Sequence, residues 1–336
     1  MTKPDPIFIG KTRVGEGEPC FVIAEIGINH NGDMELAKSL IDVAVTAGAN
    51  AVKFQTRTVD VVYTPEELAK PRPVPRHILE KAIERCVLPM EAIRRLENSN
   101  FENSTNGDLK RLLEFTDDEY HVIDAYCKAR SIMWTTSCWD VQSLRRMLTR
   151  FDLPFHKIAS ACNEDDELLT LVRDSDKPII MSTGMTTLKG VEEAVAVTGN
   201  KDLILLHCTS VYPQGTDVAE KVLKMINLKG METLRTAFSP VPIGFSSHDS
   251  GIQPSYAAAV LGAVVVEKHI TMERGMWGSD QSSSVEPGGF TSLCRMVKEL
   301  PIAMGDGEIE IYPDEVPVAN KLRRVRRSRS AEHVAI

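Results

Sequence analysis

Two histidines near the ends of strand-like segments have a spacing that could support metal chemistry. His248 ends the segment "PIGFSSH" (242–248), and His269 lies within "VVVEKHIT" (264–271). Neutral imidazoles on neighbouring strands can hold a divalent transition metal and leave positions for substrate and water. Two histidines without a third protein ligand make a weak site, so a structural role in hydrogen bonding stays the alternative.

The second segment carries three charge-capable residues in an otherwise apolar strand. Burial of an unpaired charge is costly, so Glu267, Lys268 and His269 each need a partner. Because side chains alternate along a strand, Glu267 and His269 share one face and Lys268 takes the other. We expect Glu267 to orient the site or to form a structural ion pair. Lys268 is expected to point outward or to find a pairing partner.

Other strand-like segments end in lysine and hydroxyl side chains, which predict a receptor for a small polyanion. Lysine supplies a point charge, and hydroxyl groups together with loop N–H groups supply hydrogen bonds to a phosphate or carboxylate. Glu25 and Gln55 add polar groups at the ends of the first two strands. The receptor residues are Lys53, Thr136, Lys157, Ser160, Ser182 and Ser246.

The elements that must position these side chains form a repeating strand–helix pattern. Near-continuous apolar runs are typical of parallel strands that are covered on both faces. Eight such strands alternating with helices predict a (β/α)₈ barrel, in which chemistry is found at the carboxyl ends of the strands. A doubly wound sheet is disfavoured because "GINHNG" is not a GxGxxG loop. The predicted strands are 20–27, 51–56, 132–138, 155–160, 178–184, 203–209, 242–248 and 264–271.

Three further segments complete the predicted domain organisation. Residues 1–19 contain a β-hairpin that caps the catalytic barrel of residues 20–310. A long insertion, 57–115, follows the second strand and is either a lid or a surface elaboration. Residues 311–336 form a basic tail, which we expect to be a solvated segment or a linker.

Composition narrows the class of protein. The 336 residues carry a formal net charge of −8, which argues against nucleic acid or an anionic membrane as the main partner. The seven cysteines are scattered, as expected for reduced thiols in the cytoplasm. The sequence shows no signal peptide and no apolar run as long as a membrane span. We therefore expect a cytoplasmic protein with small-molecule partners.

Seven motifs, in order, resemble those of the sialic acid synthase family, the N-acetylneuraminate or nonulosonate synthases. They are "AEIGINHNG", "AVKFQT", "HKIAS", "STGM", "HCTSVYP", "IGFSSH" and "EKHIT" with a later "GSD", within residues 6–320. The resemblance implies a (β/α)₈ barrel and a transferase that condenses phosphoenolpyruvate with an amino-sugar aldehyde such as N-acetylmannosamine. It also implies a divalent metal, Mn²⁺ before Mg²⁺ or Co²⁺.

The resemblance assigns a role to each matching residue of this chain. His248 and His269 become metal ligands, and Glu25 becomes the catalytic carboxylate. The six receptor residues become the phosphoenolpyruvate pocket. The sugar contacts are Gln55, Tyr212 and Asp280.

The chain also departs from the family pattern. Ala161 and Cys162 follow Ser160 where a glycine and a carboxylate are usual, and Ser210 replaces a frequent asparagine. The family's C-terminal antifreeze-like domain is expected to be absent, which leaves the homodimer of the family an open expectation. Two alternatives to an N-acetylmannosamine-type acceptor therefore remain: another sugar aldehyde, or a catalytically silent barrel that binds a metabolite.

Overall fold

The computed structural model describes residues 5–211 and 219–325 of the chain. The chain divides into two compact units, Met1–Glu299 and Leu300–Ile336. The first unit contains every strand of the described residues. The second contains the helix α15 (Glu315–Leu322), and its basic sequence is described only as far as Val325. The predicted domain limits at 19/20 and 310/311 stay predictions.

Eight parallel strands form a nearly closed barrel, as predicted. They lie in the hydrogen-bonded order β5-β4-β3-β10-β9-β8-β7-β6. Between β5 and β6, where the described residues form no ladder, the Thr135 hydroxyl donates to the Phe155 carbonyl at 2.8 Å. The strands are β3 (Phe21–Gly27), β4 (Ala51–Thr56), β5 (Met133–Cys138), β6 (His156–Ile158), β7 (Ile179–Ser182), β8 (Leu203–Thr209), β9 (Ile243–Ser247) and β10 (Val265–His269).

Helices follow the strands because amphipathic segments cover the outside of the sheet. The helix α1 shows how such a segment begins and ends: Asp33 accepts from the N–H groups of Glu35 and Leu36, and Gly48 closes the helix in a left-handed conformation. The helices before α15 are α1 (Met34–Ala47), α2 (Val59–Val62), α3 (Pro65–Ala69), α4 (Arg76–Glu84), α5 (Met90–Asn98), α6 (Asn106–Leu112), α7 (Asp117–Ala129), α8 (Val141–Arg150), α9 (Asp166–Arg173), α10 (Leu188–Thr198), α11 (Ala219–Ile226), α12 (Gly230–Phe238), α13 (Gln253–Val260) and α14 (Pro287–Met304).

An antiparallel hairpin closes the amino-terminal end of the barrel, as predicted. Its strands are β1 (Ile7–Ile9) and β2 (Thr12–Val14), and both Ile9 and Val14 are fully buried. They join the inward apolar side chains at the beginnings of the barrel strands in one core cluster, which we call the floor. The floor contains Ile7, Ile9, Val14, Phe21, Ile23, Ala51, Phe155, Ile180, Ile204, Leu206, Val264 and Val265.

The insertion after β4 is a folded layer of five helices, α2 to α6. Apolar residues of α4, α5 and α6 form their own core, which also includes Ile28 from the loop after β3 and Trp277 from the loop after β10. Arg85 ties the layer to α7 through Glu119, at 2.6 Å.

The described part of the chain contains no helix that is long and apolar enough to cross a membrane.

Candidate active site

Inward-facing side chains at the carboxyl ends of the barrel strands line a small cavity of about 60 Å³, which we call the mouth. Alternation along each strand brings these side chains inside while their neighbours face the helices. Predicted residues that line the mouth are Glu25, Lys53, Gln55, Lys157, Ser160, Ser182, Ser246, His248 and His269.

Buried charges at the mouth form one connected network. Lys53 Nζ lies 2.8 Å from Glu25 Oε2 and 3.9 Å from Glu267 Oε2. Lys157 Nζ lies 3.5 Å from Glu267 Oε1. Glu267 therefore joins two lysines, and the ion-pair alternative for this residue is realised. Buried pairs of this kind often add nothing to stability compared with apolar packing, so their presence points to another role.

Burial and the neighbouring charges shift the pKa values of this network. Burial raises the pKa of Glu25 to about 7, although Lys53 pulls it back. Burial opposes the charge on Lys53, but the Glu25 and Glu267 carboxylates outweigh it and raise its pKa. For Lys157, burial outweighs the attraction of Glu267 and lowers its pKa. Glu25 can therefore exchange a proton near neutral pH, as an acid–base group must.

Serine hydroxyl groups hold the two lysines in place. Lys157 Nζ donates to Ser182 Oγ at 2.7 Å, and Lys53 Nζ donates to Ser137 Oγ at 3.1 Å. Ser160 Oγ accepts from the Gly184 N–H at 3.1 Å. A Cβ at Gly184 would lie 2.6 Å from that hydroxyl, so only glycine permits this approach of the backbone.

The orientation of Gln55 is fixed from both sides. Its Oε1 accepts from Arg57 Nη2 at 2.6 Å, and its Nε2 donates to Glu25 Oε1 at 2.9 Å. Arg57 can only donate, so the amide cannot be reversed. Gly27 has φ +55°, and a Cβ there would lie 3.1 Å from both Gln55 Nε2 and Glu25 Oε1, so a side chain would crowd this pair.

The two predicted metal ligands lie side by side, with ring centroids 5.2 Å apart. His248 Nδ1 donates to the Thr209 carbonyl at 3.2 Å, which leaves the lone pair on Nε2. The Cys208 thiol also interacts with His248. His269 Nδ1 is buried and finds no hydrogen-bond partner within residues 5–211 and 219–325. Burial lowers the pKa of His269 well below its usual range, so the ring is neutral, as a metal ligand must be.

These features fit a cation held by two imidazoles and completed by substrate or water. Among the described residues, no group of three or more His, Cys, Asp and Glu side chains is arranged to hold a metal ion by itself. The orphaned His269 nitrogen is the observation that favours an additional ligand at this position.

Two of the predicted residues that the structure describes, Thr136 and Asp280, do not line the mouth. Thr136 pairs in register with the outward-facing Phe54 and lies beside the Tyr120 hydroxyl, in the layer between the barrel and α7. The prediction that Thr136 faces the pocket is therefore wrong, and Ser137, the next residue, faces inward instead. Tyr212 lies outside the described residues.

Three further polar residues at the strand ends have structural contacts. His207 faces outward and contacts the Ile226 carbonyl at 2.9 Å. His30 stacks on Phe115, with ring centroids 4.1 Å apart. Lys268 is fully buried and pairs with Asp249 at 2.9 Å, so the predicted pairing of this lysine is confirmed.

The mouth also contains residues that the sequence analysis did not select. Cys208, Trp139 and Met185 line it, together with Ser210 and Ala161. Cys208 could have been found from parity, because it follows the inward Leu206 by two positions on β8. Trp139 and Met185 lie beyond the strand ends, where no periodicity predicts direction.

Comparisons with known proteins agree with this architecture. The model of the NeuB family matches residues 81–309. N-acetylneuraminate-9-phosphate synthase of Homo sapiens is 32% identical over 312 residues, which are 92% of this chain and 78% of that protein. N,N'-diacetyllegionaminic acid synthase of Campylobacter jejuni is 34% identical over 309 residues, 90% of this chain and 83% of that protein.

Comparison with solved structures also finds proteins of similar fold. The N-acetylneuraminic acid (sialic acid) synthetase of Leptospira borgpetersenii, in complex with citrate, superposes with a TM-score of 0.72 at 28% identity, covering 97% of this chain and 100% of that one. A truncated 3-deoxy-D-arabino-heptulosonate 7-phosphate synthase of Thermotoga maritima superposes with a TM-score of 0.61 at 16% identity over 90% of this chain and 94% of that one, which shows a shared fold.

Proposed function

The chain belongs to the NeuB family of nonulosonic acid synthases, and we propose that its acceptor is an amino-sugar aldehyde of the N-acetylmannosamine type. The family consists of phosphoenolpyruvate-dependent transferases that form a C–C bond. The products proposed for this chain are a sialic or related nonulosonic acid and inorganic phosphate.

The observation that carries the proposal is the pair of buried lysines at the mouth. Lys53 and Lys157 are both less than 5% exposed, and serine hydroxyl groups hold both ammonium groups beside the cavity. A phosphate and a carboxylate on one small molecule complement two such cations. We propose that Lys53, Lys157, Ser160, Ser182 and Ser246 bind phosphoenolpyruvate, with Ser137 taking the position first assigned to Thr136.

Glu25 is the proposed acid–base group. C3 of phosphoenolpyruvate forms a bond to the aldehyde carbon, whose oxygen takes a proton from solvent water and becomes a hydroxyl group, and positive charge develops at C2. Water adds at C2 and gives up a proton, and the C–O bond to phosphate then breaks, so that phosphate leaves with the electron pair. The C2 hydroxyl group loses its proton to the phosphate and becomes a carbonyl group. We assign to the Glu25 carboxylate, which lines the mouth beside Lys53, the role of stabilising the charge at C2 and accepting the proton of that water. Lys53 and Lys157 offset the charge of the departing phosphate.

Synthases of this family use a divalent metal, and we propose Mn²⁺ held by His248 and His269. When bound, the cation would act as a Lewis acid on the aldehyde oxygen. The chain's own part is to keep the His269 imidazole neutral by burial, and to hold the Nδ1 proton of His248 on the Thr209 carbonyl so that Nε2 carries the lone pair.

The acceptor side of the mouth is proposed to include Gln55, Asp280 and Tyr212. Asp280 is buried, and its carboxylate accepts from the Ser279 hydroxyl at 2.8 Å. Gln55 Nε2 is committed to Glu25, so Gln55 would contact a sugar through the remaining N–H of that amide.

Phosphate release and product mass test the proposal together. The protein is mixed with phosphoenolpyruvate, Mn²⁺ and a panel of amino-sugar aldehydes, including N-acetylmannosamine and a diacetamido analogue. We expect one phosphate to be released for each molecule of a product whose mass is that of the acceptor plus pyruvic acid. If no aldehyde of the panel releases phosphate, the proposal is wrong.

A histidine variant tests the proposed metal ligands separately. His269→Ala is expected to lose calorimetric Mn²⁺ binding and metal-dependent turnover, while its thermal unfolding stays close to that of the wild type. His77→Ala, at an exposed histidine of α4, is the matched control. Unchanged Mn²⁺ binding in His269→Ala would remove this residue from the site.

A further inference from the structure

A second cavity, of about 460 Å³, lies between the insertion and the loops that follow β3 and β10. We call it the insertion cleft. Its walls come from the insertion through Tyr63, Arg72 and Lys110, and from the loop after β10 through Trp277 and Ser279. The mouth, at about 60 Å³, is far smaller, so a sugar needs additional space next to it.

Two cations line the insertion cleft, and neither has an anionic partner among the residues that the structure describes. The Lys110 ammonium lies over the Tyr63 ring, 5.0 Å from its centroid. Within the described ranges, Lys110 and the Arg72 guanidinium have no carboxylate within 4.0 Å. The acidic residue of the wall, Glu67, is paired with Lys70. The cleft is therefore positively charged and able to receive an anion.

Polar and aromatic groups of the cleft suit a carbohydrate. Asn31 donates through Nδ2 to the Trp277 carbonyl at 2.7 Å, while its buried Oδ1 has no hydrogen-bond partner in the described part of the chain. That oxygen can accept from a ligand hydroxyl group. Trp277 provides an aromatic surface, and Ser279 and Asn106 add hydroxyl and amide groups.

One short loop connects the insertion cleft to the mouth. Ser279 lines the cleft, and its hydroxyl donates to Asp280, whose carboxylate interacts electrostatically with Lys53 and His248 of the mouth. The end of β3 and the loop after it run the same way, from Glu25 at the mouth to Ile28 and Asn31 at the cleft. A molecule that reacts at the mouth can therefore extend over Asp280 into the cleft.

We propose that the insertion cleft binds the end of the acceptor farthest from its aldehyde, and that Lys110 and Arg72 select an acceptor with an anionic group there, a phosphate before a carboxylate. This inference rests on the proposed function, since it takes the acceptor to be a sugar aldehyde. The insertion is then a specificity element, with cations that recognise the substituent and a rigid core that fixes their positions.

Calorimetric binding of two sugars tests the cleft without turnover. N-acetylmannosamine 6-phosphate and N-acetylmannosamine are titrated into the wild type, Lys110→Met and Arg72→Gln. Each substitution is expected to weaken binding of the phosphorylated sugar by about 10-fold, since a charge-assisted contact is lost. Binding of the unmodified sugar should change by less than about twofold. Lys189→Met, at an exposed lysine of α10, should change neither.

Two results would overturn the inference. One is equal affinity of the wild type for both sugars, and the other is unchanged binding of the phosphorylated sugar in both variants. Phosphate release from phosphoenolpyruvate, measured in parallel, reports on the proposed function. Turnover without preference for the phosphorylated sugar would contradict the cleft alone, whereas absence of turnover with either sugar, despite selective binding, would contradict the reaction and leave the cleft supported.

Discussion

The two ends of the barrel interior are built from the same eight strands and differ in almost every inward residue. On β4, Ala51 belongs to the floor, while Lys53, two positions later on the same face, belongs to the mouth. On β10, Val265 belongs to the floor, while Glu267 and His269 belong to the mouth. Two residues of chain therefore separate an apolar core from a buried ionic network.

This difference separates the residues that stabilise the barrel from those that we propose to act on a ligand. The floor gains free energy from apolar burial, with the hairpin sealing its lower side. The mouth carries buried polar atoms, including Glu267 Oε2 and His269 Nδ1, that have no hydrogen-bond partner among the described residues. Buried polar atoms of this kind are costly for folding, so a bound molecule is the natural reason for their presence.

The largest expected effect lies at the mouth. Glu25→Gln keeps the size of the side chain but removes the carboxylate whose pKa burial raises to about 7. We expect turnover to fall by about 10²–10⁴-fold, the range for loss of an acid–base group, as measured by phosphate release. Thermal unfolding is the control, because Glu267 still faces Lys53. Wild-type turnover in this variant would show that Glu25 is not the acid–base group of the reaction.

The next effect lies at the floor. Ile9→Ala removes a fully buried side chain of the hairpin and leaves a cavity under the barrel. Urea unfolding should show a loss of about 2–4 kcal/mol. Turnover per folded molecule should match the wild type, since the mouth is unchanged. A stable variant with impaired turnover would contradict the assignment of this residue to the floor.

A smaller effect concerns acid stability near the floor. Burial, with a contribution from Lys177, lowers the pKa of His156 from its usual value of 6.5 to about 4. The unfolded chain therefore binds the proton more tightly, and the stability that the neutral ring contributes above pH 6.5 is lost as the pH falls towards 4.

Urea unfolding at pH 7 and pH 5 measures this contribution. His156→Gln should lose less stability between the two values than the wild type, by about 2 kcal/mol. An identical pH dependence in the two proteins would show that His156 does not titrate in this range.

The strands could be predicted from the sequence because each is a continuous apolar run. Alternation also separated Lys268 from Glu267 and His269. It failed at "WTTSC", where Thr135, Thr136 and Ser137 are all polar and composition cannot say which face turns inward. Only the register with β4, which pairs Lys53 with Thr135, decides that Thr136 faces out.

The insertion shows a second limit of sequence reasoning. No helix was predicted in the asparagine-rich stretch "ENSNFENSTNG", yet Thr105 within it and Asp108 directly after it form a capping box that starts α6. The insertion cleft could not be foreseen either, because Lys110 and Trp277 are far apart in the chain and meet only through the packing of the insertion core.

The most direct test of the comparison removes charge from the mouth without leaving one unpaired. Lys157→Met combined with Glu267→Gln deletes one cation and one anion together, while the pair of Lys53 and Glu25 stays in place. Calorimetric binding of phosphoenolpyruvate and urea unfolding are measured on the double variant and the wild type. We predict that phosphoenolpyruvate binds at least about 100-fold more weakly, while the unfolding free energy is unchanged or higher. Unchanged phosphoenolpyruvate binding together with a loss of several kcal/mol in stability would show instead that these charges serve the fold.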